Sequence, residues 1–471
     1  MVVIHLSAEC YPLAKVGGLG DVVGSLPKYQ QELGITALVV TPYYDRKFVR
    51  ENDFEIVFES VVRMGDRYLP FQVLKETTNK LGFFLHTIRI PGLLDRTEIY
   101  SYPDETEQFV AFQLAFLEWL LTFTTKPDII HCHDHHTGLV PYLLSHAYRY
   151  RFLSTIPSIL TIHNGQYQGW FGWNKFDYLP ETDPWTRGIL DWGGAINPLA
   201  AAVKASWKFT TVSPSYLEEL KISSKGLETL FIAEQRKGTG ILNGIDTEVW
   251  NPGTDPLIPK TYNLDNVSKG KQENKKALCK EFGFTLSKPI VAFIGRLVDE
   301  KGADLLPAGI EQILNTSKGK VSILVLGSGD PAIEEQLTVL KEKYKKDYAV
   351  FVGYDEALSH RIYAGADFLL MPSRVEPCGL NQLYALRYGT IPIVRSTGGL
   401  KDSVIDISEP EGYGICFEDL DTDTITESVI RAIELYANTG GLRLLRKRMM
   451  LLDFSWNRSA NQYIDLYNSL K

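Results

Sequence analysis

Four short segments carry the residue types that could handle a phosphorylated ligand. Lys15-Val16-Gly17-Gly18-Leu19-Gly20-Asp21 offers a mobile cation beside glycines that let the backbone come close to a ligand. Gly295-Arg296-Leu297-Val298-Asp299-Glu300-Lys301-Gly302 sets a planar guanidinium and an ammonium one short loop apart, a clamp suited to a diphosphate. Pro372-Ser373-Arg374-Val375-Glu376-Pro377-Cys378-Gly379-Leu380 holds one carboxylate, Glu376, between turn residues and aims a helix N-terminus. Ser396-Thr397-Gly398-Gly399-Leu400 adds a second bare-backbone loop. Charge on a phosphorylated ligand could be met by Lys15, Arg296, Lys301 and the Gly17–Gly18 and Gly398–Gly399 backbones.

Other signals compete with these. His131-Cys132-His133-Asp134-His135-His136 invites a metal reading, but in the HxHxDH pattern of dinuclear zinc hydrolases the carboxylate would fall one residue later. The run can also be a helix-capping loop through Asp134, or a sugar-recognition loop whose Asp and His exchange hydrogen bonds with hydroxyls. Gly327-Ser328-Gly329-Asp330-Pro331-Ala332 matches a dinucleotide fingerprint, yet the acidic residue expected to end the next strand is missing and Pro331 sits at a helix start, as a plain βα turn requires. Asp421-Thr422-Asp423 resembles a DxD metal site but lies just before a helical pattern, where capping is the expected role. No metal and no cofactor are therefore expected.

The elements that must position these loops follow a strand–turn–helix grammar. Val2–Leu6, a helical pattern over Asp21–Leu33, and the apolar run Ala37–Thr41 make a βαβ unit. Asp128–His131, Ile159–Ile162 and Phe209–Val212 repeat the strand signal, and Pro289–Ile294, Val321–Leu326, Tyr348–Val352, Phe368–Met371 and Ile391–Val394 form a second series. The expected fold is α/β, with two Rossmann-like doubly wound parallel-sheet domains facing a cleft. Expected boundaries are 1–250 for the N-terminal Rossmann-like domain, 251–274 for a non-periodic hinge, 275–453 for the C-terminal Rossmann-like domain, and 454–471 for a C-terminal helix packing back on the first domain.

Length and composition agree with this. A chain of 471 residues exceeds one compact core, and 44% apolar with 23% charged residues is ordinary for a globular protein. A net charge of −8 without a basic block argues against nucleic acid, and no apolar run reaches the ~20 residues needed to span a bilayer. Five scattered cysteines and a short N-terminal apolar run without a basic leader or cleavage site lead to the expectation of a cytoplasmic protein.

The motifs, taken in order, resemble bacterial glycogen synthases and plant starch synthases. KVGGLGDV (15–22), HCHDHHTGLVP (131–141), TIHNGQYQG (161–169), ILNGIDTEVW (241–250), GRLVDEKG (295–302), PSRVEPCGLNQLYALRYG (372–389) and STGGLKDSV (396–404) fall in the family's order, and FSWNRSANQYIDLY (454–467) is similar to its C-terminal helix. The resemblance implies a GT-B fold and retaining transfer of glucose from ADP-glucose, with UDP-glucose as the alternative donor, to the non-reducing end of an α-1,4-glucan. It implies that Lys15, Arg296 and Lys301 hold the diphosphate. Glu376 would lie beside the glucose, with Cys378, Gly379 and Leu380 around sugar and phosphate and His163 and Asp134 reaching the sugar. Gly17, Gly18, Asp21, Asn164, Thr397, Gly398 and Gly399 complete the expected binding set, and Tyr100 falls on the acceptor side. Two departures stand near the expected sugar site: His135 replaces the usual Trp, and Gly165-Gln166 replaces an apolar–Ala pair. A sucrose- or trehalose-making transferase, a non-catalytic glucan-binding protein and a pyridoxal-phosphate phosphorylase are the alternatives.

Overall fold

A computed structural model describes residues 1–470 as two units, Met1–Ile241 joined by the segment from Trp456, and Leu242–Ser455. The strands of the first unit are β1 (Val2–Leu6), β2 (Thr36–Pro42), β3 (Phe54–Met64), β4 (Arg67–Glu76), β5 (Phe84–Arg89), β6 (Ile129–His133), β7 (Ser158–Ile162), a short ribbon of β8 (Asp191–Trp192) and β9 (Ala195–Ile196), β10 (Lys208–Thr211) and β11 (Gly238–Gly240). Apart from the ribbon they form one sheet in the order β11-β10-β7-β6-β1-β2-β5-β4-β3. The run from β11 to β5 is parallel, while β4 is antiparallel to both β5 and β3.

That antiparallel edge departs from the all-parallel expectation. Most of β3 is in contact with solvent, and Ile56, Val57 and Val61 are exposed. A strand covered on one side only does not show the continuous apolar run of a strand buried on both faces.

The second unit contains β12 (Ile290–Ile294), β13 (Ser322–Gly327), β14 (Tyr348–Val352), β15 (Phe368–Met371), β16 (Ile391–Arg395) and β17 (Ile415–Phe417), all parallel in the order β14-β13-β12-β15-β16-β17. Alternate residues feed two cores, one on each face: Val291 and Phe293 pack in one, Ile290 and Ala292 in the other. Between them Asp367 is buried against Lys275 Nζ and Arg446 Nη2, each at 2.7 Å, and accepts from the Ile290 backbone at 3.0 Å.

The expected boundaries need correction. The first unit stops at Ile241 rather than 250, and residues 251–274 belong to the second unit. Tyr262 is buried and donates to the Tyr388 carbonyl at 2.7 Å, and the helix Val267–Phe282 starts inside the segment. Lys271 on that helix is buried and donates to the carbonyls of Tyr363 (3.1 Å), Ala364 (3.1 Å) and Tyr388 (3.2 Å) and to Thr390 Oγ1 (2.6 Å). A lysine that satisfies carbonyl groups inside a core reads as solvated in sequence, which is why the segment looks like a linker. Burial pushes this ammonium well below its ordinary pKa.

The helix Trp456–Asn468 belongs to the first unit. Its Trp456, Ala460, Tyr463 and Tyr467 pack with Val22, Leu26 and Tyr29 of the helix Gly18–Glu32 and with Val3, Ile129 and Ile159 of the sheet.

Candidate active site

In the first unit the loops after β1, β6 and β7 place the expected sugar-side residues. Asp134 follows β6 directly, with φ 56° and ψ −175°, a strained backbone for a non-glycine residue. It does not cap the helix beyond. Its carboxylate is buried and accepts from the His163 backbone N–H at 2.7 Å, fixing the loop after β7. Burial without a cation raises the Asp134 pKa to about 7, against the opposing hydrogen bonds from the His163 and Asn164 backbone. Asn164 Oδ1 accepts from the Gln166 backbone at 3.0 Å, shaping the same loop. His163 is buried, and burial pulls its pKa down to about 3, so the ring is neutral.

The loop after β1 holds a residue the sequence reading missed. Glu9 Oε2 accepts from the backbone N–H groups of Val16 (2.6 Å) and Gly17 (3.1 Å), and Glu9 Oε1 accepts from Tyr100 O–H (2.7 Å). Part of the expected anion nest at Gly17–Gly18 is therefore already filled by the protein's own carboxylate. A Cβ at Gly17 or Gly18 would meet nothing within 4 Å, so the space beside them is open. Lys15 pairs with Asp21 at 2.6 Å. An acidic residue three positions past an apolar strand was the available signal for Glu9, and the neighbouring glycine loop drew attention from it.

In the second unit the loops after β12, β15 and β16 converge. Lys301 Nζ lies 2.6 and 2.7 Å from the two Glu376 oxygens, and Ser373 Oγ donates to Oε2 at 2.8 Å. Glu376 is 5% exposed, so its carboxylate is fixed on three sides. Gly302, with φ 66°, lies where a Cβ would stand 2.0 Å from the Pro372 carbonyl, and the backbones of Arg374 (2.8 Å) and Val375 (3.2 Å) donate to the Glu300 carbonyl. These contacts lock the Lys301 and Glu376 loops together. Arg296 reaches outward, its side chain 58% exposed, with a 3.2 Å contact to Glu300.

Cys378, Gly379 and Leu380 lead into the helix Asn381–Arg387, whose Gln382 donates to the Cys378 (3.0 Å) and Gly379 (2.9 Å) carbonyls. Burial pushes the Cys378 thiol up to about 12, so it is no nucleophile. Thr397 precedes the short helix Gly398–Ser403. The glycine pair here serves the fold more than a ligand: the Gly399 N–H donates to the Glu376 carbonyl at 3.0 Å, and a Cβ on Gly398 would lie 2.1 Å from that oxygen. The expected nest is a close backbone crossing that seats Glu376.

Asp421 caps the helix Thr422–Ala437 by accepting from Thr424 N–H at 2.7 Å, and Asp330 caps Pro331–Lys343 by accepting from Ala332 N–H at 2.8 Å, so both acidic residues serve as helix caps. Among the described residues two groups bring possible metal donors within 4.8 Å of one another, His5 with His131 and His133, and Glu105 with His135 and His136. In the first, all six ring nitrogens are already hydrogen-bonded. In the second, His136 stacks on the Tyr100 ring at 4.9 Å.

Residues 2–233 match the model of the starch synthase catalytic domain, and residues 274–447 match that of glycosyl transferases group 1. A glycogen synthase of Flavobacterium johnsoniae is 52% identical over 468 residues, covering 99% of both chains, and one of Geobacillus thermodenitrificans is 38% identical over 482 residues, covering 100% and 98%. The chain belongs to the glycogen and starch synthase family. The catalytic domain of Arabidopsis thaliana starch synthase IV, solved with ADP and acarbose, superposes with a TM-score of 0.89 at 34% identity over 99% of both chains. A sucrose-phosphate synthase from Thermosynechococcus elongatus shares the fold alone, with a TM-score of 0.63 at 20% identity over 100% of this chain and 98% of that one. Two Rossmann-like units of a GT-B transferase are thus the architecture of this family member. Among the described residues no helix is long and apolar enough to cross a membrane.

Proposed function

We propose that this member of the glycogen and starch synthase family transfers glucose, with retention, from ADP-glucose to the non-reducing end of an α-1,4-glucan. The observation that carries the reading is the Lys301–Glu376–Ser373 cluster locked between the loops after β12 and β15. It pairs a diphosphate-binding cation with an immobile carboxylate in a chain 52% identical to a glycogen synthase along its whole length.

As the diphosphate leaves, charge develops on its oxygens. Lys301 and the exposed Arg296 stabilise it, and Lys15 adds a third cation once it leaves Asp21. Glu376 accepts hydrogen bonds from the glucose hydroxyls, and the Cys378–Leu380 turn presents backbone N–H groups to sugar and phosphate. His163 and Asp134 contact the sugar from the loops after β7 and β6. Tyr100, held by Glu9, lies on the acceptor side. Three lysine and arginine side chains supply the countercharge that a divalent ion supplies in DxD enzymes, so transfer requires no metal.

The test supplies ADP-[14C]glucose or UDP-[14C]glucose with glycogen and measures label in ethanol-precipitable polymer. Incorporation from ADP-glucose, released by glucoamylase, is expected. Label confined to a small soluble sugar would favour a disaccharide-forming transferase, and preferential use of UDP-glucose would revise the donor.

A further inference from the structure

Behind His163 the first unit contains a continuous hydrogen-bonded series that the transfer reaction as read above does not use. His163 Nε2 meets His133 Nδ1 at 3.0 Å, and His133 Nε2 meets His5 Nδ1 at 3.0 Å. His5 Nε2 meets Gln30 Oε1 at 2.7 Å, and Gln30 Nε2 donates to Tyr467 Oη at 3.0 Å. Tyr467 Oη meets His131 Nδ1 at 2.7 Å, and His131 Nε2 meets Thr161 Oγ1 at 2.6 Å. The series leaves β7 at His163, crosses β6, β1 and two helices, and returns to β7 at Thr161.

Every side chain in it except His163 is wholly buried, and burial lowers the pKa of His5 to about 4 and those of His131 and His133 well below the ordinary value. Neutral imidazoles carry one proton each, so each ring donates at one nitrogen and accepts at the other. The polarity of the whole series is then set at the single group whose ends differ, the Gln30 amide. Its oxygen accepts only, so His5 carries its proton on Nε2 and accepts on Nδ1. His133 must donate from Nε2 and accept on Nδ1. His163 must donate from Nε2, which leaves Nδ1 as its acceptor.

We propose that Gln30 is a positioning residue for glucosyl transfer: acting through His5 and His133, it fixes the tautomer in which the His163 ring accepts a hydrogen bond from a donor-sugar hydroxyl through Nδ1. The proposal rests on the reading that His163 faces the sugar, and it adds a residue far from the site in sequence with no cation and no ligand contact. Removing the Gln30 acceptor strands a buried N–H on His5. Stranding a donor is costlier than stranding a lone pair, so the series reverses and His163 presents N–H in place of an acceptor.

Two measurements decide it. In wild-type protein with 15N-labelled histidine, long-range 1H–15N spectra, assigned by difference against H163Q, should show His163 protonated on Nε2. A proton on Nδ1 overturns the proposal whatever the activity. Gln30→Met and Gln30→Glu are then compared at pH 8.5 with ADP-glucose and glycogen. Met fills the volume without an acceptor and should lower kcat about 10-fold or more, in the range seen when groups that orient a working histidine are lost, with the donor KM little changed. Glu still accepts from His5 and should stay within about 3-fold of wild type in kcat, although a buried carboxylate lowers its melting temperature more than Met does. A merely structural Gln30 predicts rates that follow stability, Glu slower than Met, and that order of rates, or equal rates, would overturn the proposal. If Gln30→Met does not fold, the wild-type tautomer decides. Absence of transfer by the wild-type chain would overturn the functional reading, and that outcome is distinguishable because the tautomer is read without turnover.

Discussion

The two units hold their loops by different physics. In the first, Asp134 and His163 are tied to each other and to the sheet interior by neutral hydrogen bonds among buried rings and an amide. In the second, the corresponding loops are held by ion pairs, Lys301 on Glu376 and Arg374 on Asp304, and the sheet beneath them carries a buried one, Asp367 between Lys275 and Arg446. A network of neutral rings is indifferent to salt, and its weak points are proton direction and, at Asp134, a carboxyl that titrates near neutrality. An ionic network fixes position strongly, and its weak point is the loss of either partner, which leaves a charge buried without compensation. The loops of the first unit are thus oriented by which atom donates, and those of the second by where charge sits.

The sharpest break of this contrast is Glu376→Ala. It removes the carboxylate that Lys301 and Ser373 orient, and kcat should fall at least ~100-fold while circular dichroism stays unchanged. Near-wild-type turnover would remove Glu376 from the chemistry. Next in size is Asp367→Asn, which leaves Lys275 and Arg446 facing each other without a counter-charge. Breaking such a buried network costs about 3–5 kcal/mol, read as a lower urea midpoint, and an unchanged midpoint would show the ionic core to be dispensable.

A smaller effect is expected at Asp134. Its folded pKa of about 7 lies above the ordinary carboxylate value, so its contribution to stability is fully present below about pH 4 and is lost as pH rises through about 7. Asp134→Asn keeps the acceptor for the His163 N–H and carries no charge. The variant should therefore be more stable than wild type at pH 8 by about 1 kcal/mol or more, with the difference shrinking toward pH 5. A difference that grew toward pH 5 would contradict the assignment. The smallest expected effect is none: exhaustive EDTA treatment should leave transfer unchanged, whereas Lys301→Ala should lose far more. Loss of activity on chelation, restored by Mg²⁺ or Mn²⁺, would break the reading of the second unit as a site whose cations are side chains.

Much of this was readable in the sequence because it is local. Phe368–Met371 stands where the apolar run placed it, since a strand buried on both faces needs no alternation, and Tyr348–Val352 matches too although this edge strand ends in exposed residues. The Lys301 and Glu376 loops were visible because strand ends and glycine turns leave marks within a few residues. What escaped was non-local or disguised. β3 and β4 meet water on one side, Lys271 satisfies carbonyls from inside a core, and Glu9 finishes a loop whose glycines draw the eye. The relay joins His5, Gln30, His133 and Tyr467, and no spacing rule connects position 30 with position 467.

One feature of the fold sets the order in which it can be built. The first unit is interrupted: its sheet is complete by β11, but the helix that covers Val3, Val22, Leu26 and Ile129 begins only at Trp456. On a ribosome making roughly 5–20 residues per second, everything from Leu242 to Ser455 is synthesised first, so the earlier sheet waits on the order of ten to forty seconds with an apolar stripe uncovered. The unit that starts first is therefore finished last. During that interval His131 and Gln30 lack the tyrosine that joins them.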